Sequence, residues 1–321
     1  MYSVGVTKLK STMTMNNTGN SKNPFLSGCE INCAITLDFT ADGDMKVFSP
    51  IFRESIEKPE GLLNSFRCEN SGELIYRLDM IADLARTRGA LPILAFDGHG
   101  TDRGLDFGIQ KYDEKLSERL NKVEFLDIYP WAELLKKLQA INIACSNNLI
   151  VLFATCNSAK LFEEKMEITR PAPFYFCVAP RRNILAGELK TAYEKFCTDF
   201  HNKGSFDLAA NGLDSDLFAV FFPEQIFCLV VTGLSKHLHG KEKRQWGEDS
   251  LTNFRWNHPD VLHLPNSNFR SAFDQSTRDR NGMIQQFKNS FLMANHPSNS
   301  GRFAYTYEEI CRMVSNGKIP R

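Results

Sequence analysis

The chain predicts an α/β fold on a mainly parallel sheet with helices on both faces, and three observations carry that expectation. From about residue 30, short apolar runs alternate with amphipathic segments, the pattern of βα units. The run NLIVLFAT at 148–155 is almost wholly apolar, as a strand covered on both faces requires. The runs LPILAF at 91–96 and FYFCVAP at 174–180 have the same character.

Taken in order, INCAITLDF at 31–39 reads as the first strand and ends in an acidic, glycine-containing loop. Residues 73–87 follow helical spacing, with Leu74, Leu78, Ile81 and Ala85 on one stripe. LPILAF is a buried strand that runs into Asp97-Gly98-His99-Gly100, and GLDFGI at 104–109 is a strand or hairpin beside it. Pro130 suits a first helical turn, after which Trp131, Leu134, Leu135 and Leu138 form an apolar face. NLIVLFAT is the central strand, and FYFCVAP follows as another. A long amphipathic helix is expected over 184–202 through Leu185, Leu189, Ala192, Phe196 and Phe200. LFAVFFPEQIFCLVVTGL at 217–234 is the most apolar stretch, but Pro223-Glu224-Gln225 breaks it, so two strands or a strand and a buried helix fit better than a membrane span. Beyond about residue 236 the texture turns to Asn, Ser, His and Arg, with little periodicity until 283–294.

Composition narrows the function classes. With 321 residues, 42% apolar and 24% charged, the chain is long enough for one substantial core with decorations or two modest domains. Lysine plus arginine equals aspartate plus glutamate at 38 each, so no global field recommends nucleic acid or an anionic membrane as partner. Residues 1–29 are polar and read as a disordered or extended lead-in without a secretory core, which makes a cytoplasmic location the expectation. Nine cysteines without CxxC spacing, several in apolar runs, predict no structural disulfides.

His99 stands between two glycines at the carboxyl end of one apolar strand, and Cys156 stands just past the end of another. Glycine flanks permit a sharp turn and close approach of another molecule. Catalytic groups of open α/β sheets gather at the carboxyl edge, so adjacent strands would present an imidazole and a thiol on one rim. Imidazole accepts the thiol proton and the thiolate attacks a carbonyl, with the backbone N–H groups of Gly100 and Cys156 as the expected oxyanion hole.

The sequence FDGHG, then LIVLFATCNSA, then PFYFCVAPRR and a long helix ending FHNKGSFDLAANGL, resembles the CHAT domain of the caspase-like cysteine peptidases, which include caspases, separases and metacaspases. The resemblance spans about residues 30–215. It implies a three-layer α/β sandwich, a peptidase domain over 30–235, and a C-terminal extension over 236–321. His99 matches the general base and Cys156 the nucleophile, with Asn157, Ser158 and Ala159 in the positions that follow it. Asn157 stands where caspases have Arg, so a preference for Asp at the P1 position does not carry over. Metacaspase and separase-like relatives bind a basic P1 through acidic residues near the first strand. Asp38, Asp42 and Asp44 occupy that region, with Asp38 the first choice, and a solvated acidic turn is the alternative.

The resemblance therefore implies a cysteine endopeptidase acting on a protein substrate. It also implies activation by a sensor protein or a second messenger, in prokaryotic immune or cell-death pathways. The alternative is a catalytically silent caspase-like scaffold that binds a partner through the same cleft. No cofactor or metal is expected: no Walker-type or GxGxxG stretch occurs, and His237-x-His239 with His258 and His263 matches no zinc pattern.

Overall fold

Six strands pair into one sheet in the computed structural model, in the order β11-β10-β9-β5-β3-β4, with the apolar runs at its centre. The structure describes residues 13–14, 30–40, 44–55, 63–110, 125–164, 166–203, 206–237 and 279–315, with scattered helical positions between 241 and 274. In chain order these include β1 (Met13–Thr14), β2 (Glu30–Ile31), β3 (Cys33–Asp38), α1 (Phe48–Ser55), β4 (Leu63–Arg67), α2 (Ser71–Arg88) and β5 (Pro92–Asp97). Then follow β6 (His99–Gly100), β7 (Gly104–Gln110), β8 (Phe125–Pro130), α3 (Trp131–Ala144), β9 (Ile150–Ala154), a 3₁₀ turn at Ser158–Glu163 and β10 (Phe176–Pro180). The remainder are α4 (Ala186–Lys203), α5 (Phe206–Ala210), β11 (Phe218–Phe221), α6 (Pro223–His237), α7 (Arg280–Phe291) and α8 (Tyr307–Ser315).

All neighbours in the six-stranded sheet are parallel except β10 and β11. The chain divides into two units, 1–223 and 224–321, so the helix in the 217–234 stretch groups with the tail rather than with the first unit. That stretch is a strand followed by a helix, with Pro223 at the helix start, where its missing N–H is harmless. No helix among the described residues is long and apolar enough to cross a membrane.

The first unit is a three-layer α/β arrangement because the central strands are apolar on both faces. Ala34, Ala95, Leu152, Phe176 and Val178 pack with Phe48 and Ile51 of α1, Tyr193 and Phe196 of α4, and Phe206 of α5. The alternate residue Phe153 faces the other way, stacked on Phe96 at 4.7 Å and met edge-on by Trp131 of α3 at 6.1 Å. Helix α2 buries Leu74, Leu78, Ile81 and Ala85 as its spacing predicts, begins where Asn70 accepts the Glu73 N–H, and ends at Gly89 with φ 68°. A smaller antiparallel sheet, β6-β7-β8, holds His99 opposite Asp106 and Gly100 opposite Leu105.

Three expectations change. Pro130 precedes the helix as its N-cap instead of entering the first turn. Leu185 lies one residue before α4, where its N–H donates to Glu188, and its side chain is 73% exposed instead of joining the apolar stripe. Helix α1 and strand β4 carry no clear periodicity in the sequence and are held from outside, as described below.

Within the second unit, Lys288 of α7 is buried and donates from Nζ to the carbonyls of Phe303 and Tyr305 at 3.0 Å each. Asn281 accepts the Tyr307 N–H at the start of α8. These bonds tie the last helices together where periodicity alone is weak.

Candidate functional site

Strands β5 and β9 are parallel neighbours, and Asp97 pairs with Ala154 at their carboxyl ends. His99 and Cys156 each lie two residues beyond that pair, so the register itself brings them to the same level of one sheet edge. The intervening backbone is then shaped by close packing. A side-chain carbon on Gly100 would stand 2.3 Å from the Cys156 carbonyl oxygen, and one on Gly98 would stand 2.3 Å from the Phe39 ring. Neither glycine has a positive φ. The glycine flanks of His99 thus serve approach within the chain itself, rather than the sharp turn or outside molecule expected from the sequence. Gly100 and Cys156, the two expected oxyanion donors, are consequently side by side.

The loop after His99 is tied down by the Thr101 N–H, which donates to the Gly104 carbonyl at 2.9 Å. The Trp131 indole donates to the Thr101 carbonyl at 3.0 Å. Cys156 sits on a tight turn: Asn157 adopts φ 56°, and the buried Ser158 hydroxyl donates to the Thr155 carbonyl at 2.8 Å. Asn157 also donates to the Asn183 side chain at 2.9 Å, bridging the turns that follow β9 and β10. A left-handed conformation at a residue other than glycine is costly and marks a turn held by its surroundings.

The Cys156 thiol is half-buried and donates to the Ile184 carbonyl at 3.8 Å. No hydrogen bond joins it to the His99 ring. His99 is 61% exposed, and its Nε2–H donates to the Asp44 carboxylate at 2.8 Å. The aspartates expected to bind substrate have different fates. Asp38 is buried, accepts the Thr40 N–H and hydroxyl, and pairs with Lys46 and with Arg67 at 3.8 Å. Burial alone would raise its carboxyl, but Lys46 and Thr40 outweigh that and hold it below its usual value. Asp44 lies on His99, and Asp42 falls outside the described residues.

Asp97 was not singled out by sequence reasoning. It is buried and accepts the Val47 N–H at 2.9 and 3.0 Å and the Phe48 N–H at 2.9 Å. It therefore caps α1 from about fifty residues away. Burial pushes its carboxyl up to about 6 despite those donors. The only sequence signal was its place at the strand end before the Gly-His-Gly turn.

Among the described residues, eight cysteines are free and no group of side chains is arranged to hold a metal. Of the candidate histidines, His237 ends α6, while His239, His258 and His263 lie outside the described residues. Cys145 and Cys177 are fully buried, and burial pushes both thiols well up. Met45 and Leu185 are exposed, and they adjoin the residues that contact His99 and Cys156. No protein-family model matches the chain, and no curated protein matches its sequence.

Proposed function

We propose that the chain is a cysteine endopeptidase with Cys156 as nucleophile and His99 as general base, switched on by a protein partner or second messenger. The observation that carries this reading is the common register of His99 and Cys156, two residues beyond one paired position of adjacent parallel strands. In the reaction, the Cys156 thiol gives its proton to His99 and attacks the peptide carbonyl carbon. The N–H groups of Gly100 and Cys156 receive the developing oxyanion, and the amine leaves with the proton held by the imidazolium. Water then hydrolyses the thioester and restores the thiol.

The donation of Sγ–H to Ile184 instead of His99 fits a resting arrangement, in which activation turns the thiol toward the ring. The same observation favours the second reading, a silent scaffold that binds a partner through the cleft. Incubation of the full chain with a panel of peptidyl acyloxymethyl ketones, bearing Arg, Lys, Asp or Leu at P1, separates the two. Covalent capture at Cys156 that is lost in His99→Ala supports the peptidase. Absence of capture across the panel, while iodoacetamide still labels Cys156, supports the scaffold. The Arg and Lys members also test the basic P1 preference, for which Asp38 is already paired with two cations of the chain.

A further inference from the structure

We infer that Asp44 is the positioning residue of His99, selecting the ring form in which Nδ1 carries the lone pair, and that it is not a substrate-binding carboxylate. The inference rests on the peptidase reading for its purpose and on geometry for its content. The Asp44 Oδ2 lies 2.8 Å from His99 Nε2. An ionised carboxylate only accepts, so this contact requires the proton on Nε2 and leaves Nδ1 as the basic nitrogen of the neutral ring. A base must keep its lone pair on one known nitrogen, since the other tautomer presents an N–H to the thiol. The same bond stabilises the imidazolium formed when the thiol gives up its proton.

The position of Asp44 is not left to a loose loop. Two residues on, Lys46 pairs with Asp38 at the end of β3. The next two residues, Val47 and Phe48, donate their N–H groups to Asp97 at the end of β5. Asp38 and Asp97 are register partners, and β5 is the strand that delivers His99 two residues later. Acceptor and ring are thus mounted on the same pair of strand ends. This arrangement explains why two buried carboxylates stand side by side at a sheet edge without facing a ligand: each secures the segment that presents Asp44.

The test uses the full chain with ring-¹⁵N-labelled histidine. His99 is one of seven histidines and is assigned from the His99→Gln difference spectrum. The expected wild-type pattern is a protonated Nε2 and an unprotonated Nδ1. Asp44→Asn retains it, because the amide oxygen still accepts, whereas Asp44→Ala mixes the two tautomers. Against a peptide the wild type cleaves, Asp44→Ala lowers kcat about tenfold and leaves KM within about twofold, a modest effect because both partners are solvent-exposed. A wild-type spectrum with the proton on Nδ1, or a tautomer ratio unchanged in Asp44→Ala, overturns the inference. So does a rise in KM at constant kcat, which would return Asp44 to substrate binding. If the tautomer depends on Asp44 but the capture experiment fails at Cys156, the peptidase reading falls and the ring-orienting role of Asp44 stands.

Discussion

Replacing Gly100 by Ala tests the central feature of the site, the contact between the backbones that carry His99 and Cys156. The added carbon would stand 2.3 Å from the Cys156 carbonyl oxygen and 3.3 Å from the Thr155 side chain, whereas side-chain carbons keep at least 3.0 Å from such atoms. The partner is backbone within a turn fixed by Ser158 and Asn157, so no rotamer change relieves the clash. The two turns must separate by about 0.7 Å, at a cost of about 1–3 kcal/mol for overpacking a closed interior. A displacement of that order between base and nucleophile lowers turnover by about a hundredfold. Denaturant unfolding measures the first effect, and covalent capture at Cys156 by a peptidyl ketone measures the second. Gly187→Ala is the matched control: it lies in α4 with no atom within 4 Å of the added carbon, and it should gain about 0.5–1 kcal/mol. A Gly100→Ala chain with the wild-type unfolding midpoint and capture rate would refute the close-approach argument.

Other outcomes follow from the same geometry. Native-state alkylation should label Cys156 well ahead of Cys145 and Cys177, because the latter are sealed from solvent and burial keeps them protonated; mass mapping that finds equal labelling contradicts this. Asp97 has its carboxyl raised from 3.8 to about 6, so the folded chain binds this proton more tightly than the unfolded chain. The resulting stability is fully present below about pH 4 and is lost as pH rises through about 6. Asp97→Asn should therefore gain on the wild type by up to about 3 kcal/mol between pH 4 and pH 7, and parallel stability curves would exclude that assignment. Phe153→Ala removes a ring packed against Phe96 and Trp131 and should cost about 3–5 kcal/mol by denaturant unfolding; a cost under about 1 kcal/mol would mean the two-sided core is misassigned.

The sheet and its main helices were legible in the sequence because their signals are local. Apolar runs mark β5, β9 and β10, and the Leu74, Leu78, Ile81 and Ala85 stripe marks α2, since burial on two faces or on one helical face imposes a period on the chain itself. His99 and Cys156 could be placed at strand ends for the same reason. Helix α1 escaped notice because its N-terminus is satisfied by Asp97, a residue distant in sequence, and β4 because an edge strand such as LNSFR needs little apolar content. Only the tertiary structure decided that β5 and β9 are neighbours in matching register, which sets His99 and Cys156 level with one another. It also separated three aspartates of one loop that sequence could not distinguish: Asp38 went to Lys46 and Arg67, and Asp44 went to His99. Local sequence determines which segments must be buried; the partner of a charged side chain depends on which strand ends are brought together, and that is a property of the sheet.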